Sequence, residues 1–296
     1  VSKVNIEDEL HMWMASGFFG DAMIDLCKAK RALEHGGKES IVIHTAKRYW
    51  HPNKEPYWVP ANQALLSFFN SINFVKGIIF DVDQSDLHGT SENSNYNVEF
   101  PEYFKENWVH NITENVNFDL FTKRISRDFF NFNNYNIAVI QPVSFKNKPT
   151  DQFEEHYLPV WNKTIESLKS NNYKIIFIGG DKDEEVMKRY FPKIKEDNDI
   201  LNLINKLTFF ESLDLIWNYS HLNISCCSWL AWYSKAAGIP TAMASGYDML
   251  NDLQSIRSYK LKVVGNDNNF FMDYACKKEE CDNSIANWVN EIPSIL

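Results

Sequence analysis

The chain has 296 residues, which suits two domains of ordinary size rather than one small core. Hydrophobic residues make up 44% and charged residues 23%, the balance of a globular protein and not of a disordered one. The formal net charge of −9 argues against a long nucleic-acid backbone as partner, no apolar run reaches the length of a membrane span, and VSKVNIEDEL lacks the charged-then-apolar pattern of a secretion signal, so a cytoplasmic protein is expected.

Leu10 to Ala15 (LHMWMA) is a short apolar run, expected as a buried strand. Ser16-Gly17-Phe18-Phe19-Gly20-Asp21 follows, then an amphipathic helix from about Ala22 to Glu34, with Ile24, Cys27, Ala32 and Leu33 near helical spacing. Ser40 to His44 (SIVIH) is the next strand. Thr45 to Pro60 reads as irregular, basic and aromatic. Ala61 to Ile72 is a predicted helix and Gly77 to Phe80 a strand. This alternation implies right-handed crossovers and a parallel sheet. Asp81 to Glu114 is polar and is expected as a long excursion over the surface. Phe118 to Phe130 reads as helical, and the polar run Asn131 to Asn136 marks a boundary.

The second half is more regular. Ile137 to Gln141 is a predicted strand, followed by the loop PVSFKNKPT and a long helix over Gln152 to Ser170. Lys174 to Ile178 is a strand that runs into Gly179-Gly180-Asp181, with a helix over Asp183 to Tyr190. Ile200 to Leu203 is a short strand. Thr208 opens a helix with Glu211 three residues on, a capping box. Val263-Val264 is a last apolar piece, and Asn283 to Val289 reads as a terminal helix. Two consecutive β/α halves predict an α/β protein of two Rossmann-like domains with parallel sheets facing a central cleft. The expected divisions are 1–133, 134–280 and a C-terminal helix in 281–296.

His221 to Gly246 organises that second half. His221 to Ser225 is a predicted strand, Cys226-Cys227-Ser228 a turn of small residues, and Trp229 to Ala237 a helix stopped by Gly238 and Pro240, before a strand from Thr241. The first turn of a helix leaves N–H groups unpaired and carries partial positive charge, so the Ser225–Trp229 turn is a place to hold a diphosphate. The alternative is an ordinary βαβ turn that binds nothing. The five cysteines, Cys27, Cys226, Cys227, Cys276 and Cys281, are odd in number and form no CxxC pair, which argues against a disulfide framework. Cys276 and Cys281 lack matching partners for a metal site.

The order IAVIQPVSFKNK, long helix, KIIFIGGDKDEE, LNLINKLTFFESLDLI, HLNISCCSWLAWYSKAAGIPTAMASG resembles the nucleotide-sugar domain of the heptosyltransferase-like glycosyltransferases, glycosyltransferase family 9, with the GT-B fold. SGFFGDAMIDLCKAKRAL resembles that family's glycine-rich loop, with an Asp opening the first helix. The resemblance implies inverting, metal-independent transfer of a sugar from a nucleotide diphosphate-sugar to a hydroxyl acceptor, with no cofactor. It assigns Asp21 as the base that takes the acceptor's proton; the alternative is that Asp21 only caps its helix. Lys146 or Lys148 falls where the family places a phosphate-binding Lys, to neutralise the leaving diphosphate, with Ser144 as a further donor. Gly179 and Gly180 give close approach, Asp181 or Glu184 accepts from ribose hydroxyls, and Leu207-Thr208 lies where backbone holds the base. Ser225, Cys227, Ser228 and Trp229 form the phosphate turn. There the family typically shows Asp-Thr-Gly followed by His, against Cys227, Ser228, Trp229 and, further on, Trp232 here. Ser228 can replace a Thr hydroxyl; Trp229 in a Gly position crowds the phosphate or reshapes the pocket. Gly20, Lys47, Arg48 and His51 are the acceptor-side candidates, and basic residues interleaved with aromatics suit an anionic glycan or a modified nucleobase. An epimerase or hydrolase acting on sugar nucleotides, or a non-catalytic nucleotide- or carbohydrate-binding relative, stays open beside the transferase.

Overall fold

The computed structural model of the chain describes residues 9–13, 19, 22–23, 26, 29–30, 33, 38–50, 58–86, 135–142, 158–192, 197–226, 228–237, 239–245 and 270–273. The chain divides into two compact units, each with its own sheet.

The first unit is built on β2 (Ser40–Trp50), which pairs in parallel with β1 (Glu9–Trp13) and with β4 (Val75–Asp86). The short β3 (Trp58–Pro60) joins the far end of β2 in antiparallel register, Arg48 opposite Pro60 and Trp50 opposite Trp58. β4 carries one extra residue at each of two register shifts, Lys76 and Asp81, and Lys76 there meets the buried Glu9 carboxylate of β1. Ala22, Met23, Leu26, Ala29 and Leu33 are helical and buried, an apolar stripe at helical spacing. Helix α1 (Gln63–Ser71) begins where Asn62 Oδ1 accepts from Ala64 N at 3.1 Å, and it buries Leu65, Leu66, Phe68 and Phe69.

Two sequence expectations change here. The stretch after Thr45 is not irregular from its start, because β2 runs to Trp50 and takes up β3. The excursion expected from Asp81 begins later, because β4 runs to Asp86. The reason is the same for both strands. Their far halves carry exposed polar groups such as Lys47, Arg48 and Asp83, so no continuous apolar run marks them, while backbone pairing continues.

The second unit is a six-stranded sheet in which every pairing is parallel, in the order β7-β6-β5-β8-β9-β10. Its elements are β5 (Asn136–Gln141), α2 (Leu158–Ser170), β6 (Tyr173–Phe177), α3 (Asp181–Tyr190), β7 (Ile200–Asn202), α4 (Phe209–Tyr219), β8 (Leu222–Cys226), α5 (Trp229–Ala236), β9 (Thr241–Ser245) and β10 (Phe270–Asp273). The chain enters at β5 in mid-sheet, winds outward through β6 to β7, then returns to the other side of β5 with β8. Ala138 and Ile140 of β5 pack with Trp161 of α2 and Met187 of α3, while Ile137 and Val139 pack with Leu215 of α4 and Leu230 of α5. Both faces are therefore covered, which is why β5 reads as an unbroken apolar run. Burying one such side chain, Phe177 for example, is worth about 1.5–3 kcal/mol. The connections leave β5 and β8 toward opposite faces, so the carboxyl ends of these two neighbours form a topological switch point.

β10 was not expected, since an apolar piece of four residues raises no periodic signal. The predicted helices at 118–130 and 283–289, the Val263-Val264 piece and most of the polar excursion lie outside the described residues. Among the described residues no helix is long and apolar enough to cross a membrane.

Candidate functional site

β5 ends on Gln141, a polar side chain that closes an apolar strand and is nonetheless only 4% exposed. A buried amide needs partners at both ends. Gln141 Nε2 donates to Asp183 Oδ2 at 3.1 Å, and Gln141 Oε1 accepts from Ser228 Oγ at 2.8 Å. The same Asp183 oxygen accepts from Gly180 N at 2.8 Å. One line of hydrogen bonds thus runs from the start of α3, across the end of β5, to the residue before α5. It spans the switch point of the sheet.

The helices leaving this edge start differently. The first turn of α3 holds Asp181, Asp183 and Glu184, which complement its partial positive charge. Gly179 makes room for that arrangement, since a Cβ there would lie 3.0 Å from both Asp183 Cβ and Oδ2. Helix α4 starts with a capping box: Thr208 Oγ1 accepts from Glu211 N at 3.3 Å and Glu211 Oε2 accepts from Thr208 N at 2.8 Å. The first turn of α5 contains no acidic residue. Ser228 directs its hydroxyl to Gln141, and among the described residues no cap bond joins it to the amides of α5. Of the helices that follow β6, β7 and β8, α3 and α4 supply their own carboxylate and α5 does not.

The donor-side candidates that are described all lie along this edge. Ser225 is fully buried at the end of β8, and its hydroxyl donates to Asn223 Oδ1 at 3.0 Å, so its side chain serves the strand. Trp229 is half-buried, with its ring 5.3 Å from Phe209 and edge-on to Tyr233 at 5.5 Å. The indole therefore ties α5 to the start of α4. Asp181 is exposed and accepts from Lys182 N at 2.8 Å. Glu184 accepts from Asn205 Nδ2 at 3.4 Å and pairs with Lys188 at 2.9 Å. Leu207 packs on the apolar core beneath β5, and Thr208 is used in its capping box. Asn205, in the left-handed region at φ 57°, donates its N–H to Gly179 O at 3.0 Å, which joins the loops after β6 and β7.

In the first unit, Lys47 and Arg48 are exposed on β2. Lys47 is paired with Asp83 of β4 at 2.8 Å, and the Lys47 ammonium hydrogen-bonded to Asp83 holds that carboxyl below its usual range. Gly20, Asp21, His51, Ser144, Lys146, Lys148 and Cys227 lie outside the described residues, as does the side chain of Trp232. Sequence reasoning missed Gln141 and Asp183. The available signal was a polar residue ending the first strand of the second half, and an Asp three residues after a glycine at a helix start.

No protein-family model matches the chain, and no curated protein matches it in sequence. Solved structures do match in shape. The ADP-heptose lipopolysaccharide heptosyltransferase II of E. coli superposes with a TM-score of 0.56 at 10% identity, covering 96% of this chain and 98% of that one. A glycosyltransferase family 9 protein of Veillonella parvula gives 0.52 at 9% identity, covering 90% and 85%. The E. coli heptosyltransferase WaaC, determined with ADP, gives 0.50 at 10% identity, covering 96% and 98%. The likeness that the sequence carries to the heptosyltransferase-like enzymes is thus one of fold: this chain has the α/β, parallel-sheet fold of the GT-B glycosyltransferases.

Proposed function

We propose that the chain is a glycosyltransferase that moves a sugar from a nucleotide diphosphate-sugar to a hydroxyl acceptor, with inversion and without a metal. The observation that carries this reading is the start of α5. It sits at the switch point, where open α/β sheets bind ligands, and, unlike the starts of α3 and α4, its first turn carries no carboxylate. The fold shared with heptosyltransferases over 96% of the chain supports the same class, and one of those structures holds ADP.

In this reading the diphosphate takes the first amides of α5, and Lys146 or Lys148 neutralises charge as it leaves. Asp21 accepts the acceptor's proton as the hydroxyl attacks. Residues 134–280 bind the donor and residues 1–133 the acceptor, a glycan or another hydroxyl compound, in the cytoplasm. A thermal-shift panel of ADP, UDP, GDP and CDP tests the donor side, and at least one is expected to raise the melting temperature. No shift with any of them would remove the nucleotide-sugar reading. With the donor class known, Asp21→Asn is expected to abolish turnover and leave donor affinity within about twofold. An active Asn variant would reject the base, and sugar release without acceptor would make the protein a hydrolase instead.

A further inference from the structure

The line of hydrogen bonds from Asp183 to Ser228 has a direction. An ionised carboxylate accepts and cannot donate. Gln141 therefore presents its NH2 to Asp183 Oδ2, at 3.1 Å. Its carbonyl oxygen is then the end that meets Ser228, and at 2.8 Å it takes the one proton the hydroxyl has. Bonds aligned head to tail polarise one another in the same sense. Gln141 cannot turn over easily, because it is 4% exposed and a reversed amide would set its carbonyl against the carboxylate. At the start of α5, Ser228 Oγ consequently offers lone pairs and no proton. Lone pairs repel a phosphate oxygen and attract a hydroxyl.

We propose that Ser228 Oγ accepts a hydrogen bond from a hydroxyl of the donor sugar, not from the diphosphate side of the ligand, and that Gln141 is the positioning residue that sets this polarity. The proposal rests on the glycosyltransferase reading above. It changes the part expected of Ser228, since a Thr-like hydroxyl at this turn would donate to phosphate. The diphosphate is left to main-chain amides, and Ser228 makes the site prefer a sugar that carries a free hydroxyl within reach of its phosphate.

The test uses the full chain and three matched pairs of probes: ADP with ADP-glucose, UDP with UDP-glucose, and GDP with GDP-mannose. Calorimetric titration follows the pair that binds, in the wild type, in Ser228→Ala and in Gln141→Met. Ser228→Ala is expected to weaken the sugar nucleotide about fivefold, the loss of one hydrogen bond, and to leave the nucleoside diphosphate within about twofold. Gln141→Met keeps the volume and releases the Ser228 proton. The nucleoside diphosphate should then bind more tightly and the sugar nucleotide more weakly, so the two move in opposite directions. A merely structural tie would move both the same way. Equal loss for both probes, or a larger loss for the nucleoside diphosphate in Ser228→Ala, overturns the proposal and leaves the transferase reading standing. If Gln141→Met does not fold, judged by its melting curve, Ser228→Ala alone decides. If none of the three diphosphates binds the wild type, the transferase reading falls and this inference falls with it.

Discussion

Helices α3 and α5 start on either side of β5, at the same edge of the same sheet, and offer the same backbone chemistry: the partial positive charge of a helix N-terminus. The local sequence treats them oppositely. At α3, GGDKDEE sets three acids into the first turn, and Asp183 accepts the Gly180 amide. At α5, CSWLAW brings none, and Ser228 turns its hydroxyl to Gln141. A helix start is therefore not an anion site by virtue of being a helix. It becomes one only where the chain has not already supplied the anion. In a chain of net charge −9, an acid-free first turn at the switch point is the more informative for that.

The comparison breaks most sharply if α5 is made to resemble α3. Ser228→Asp places a carboxylate just before α5, close to the proposed diphosphate. Repulsion at that range should weaken the nucleoside diphosphate at least about fiftyfold. The ligand-free melting curve should still show a folded chain. Unchanged binding in Ser228→Asp would place the diphosphate elsewhere. The next largest effect is on the other helix. Gly179→Ala sets a Cβ 3.0 Å from Asp183 Cβ and Oδ2, so α3 must shift its first turn. Urea unfolding should show a loss of about 1–3 kcal/mol. Diphosphate affinity should fall less than about tenfold, because the α5 amides are untouched. If Gly179→Ala abolishes binding as thoroughly as Ser228→Asp, the two starts form one site and the contrast between them is lost.

The sequence displays much of this arrangement and hides the decisive part. KIIFIGG and HLNIS read as strands because both faces of the sheet are covered and each strand is an apolar run bounded by turn residues. Thr208 and Glu211 read as a cap because the signal is local, three residues apart. The β2 and β4 extensions were not legible, because Lys47, Arg48 and Asp83 mark exposed strand that pairs through backbone alone. Gln141 with Ser228 was invisible for another reason. The two are brought together only by β8 returning beside β5, and 87 positions separate them in the chain. Ser225 shows the converse. Its place in the strand was legible, but the direction of its hydroxyl, toward Asn223 of the same strand, depends on packing that no local pattern encodes.

Helix α4 offers the finest test, because its start is self-capped like that of α3 yet lies where a nucleotide base is expected. Thr208 Oγ1 is engaged in both directions: it accepts from Glu211 N at 3.3 Å and donates its proton to Glu211 Oε2 at 2.8 Å. Thr208→Ala should lower stability by about 1 kcal/mol, the usual cost of losing an N-cap, seen as a lower melting temperature. The order of preference among ADP, UDP, GDP and CDP should not change. The hydroxyl's one proton is committed to Glu211, so it has none to give a base, and a hydrogen bond donated to the base at Leu207-Thr208 comes from the main chain. A changed preference with an intact melting curve would mean that the Thr208 side chain faces the ligand. Self-capping would then no longer separate idle helix starts from binding ones, and the argument for α5 would lose its control.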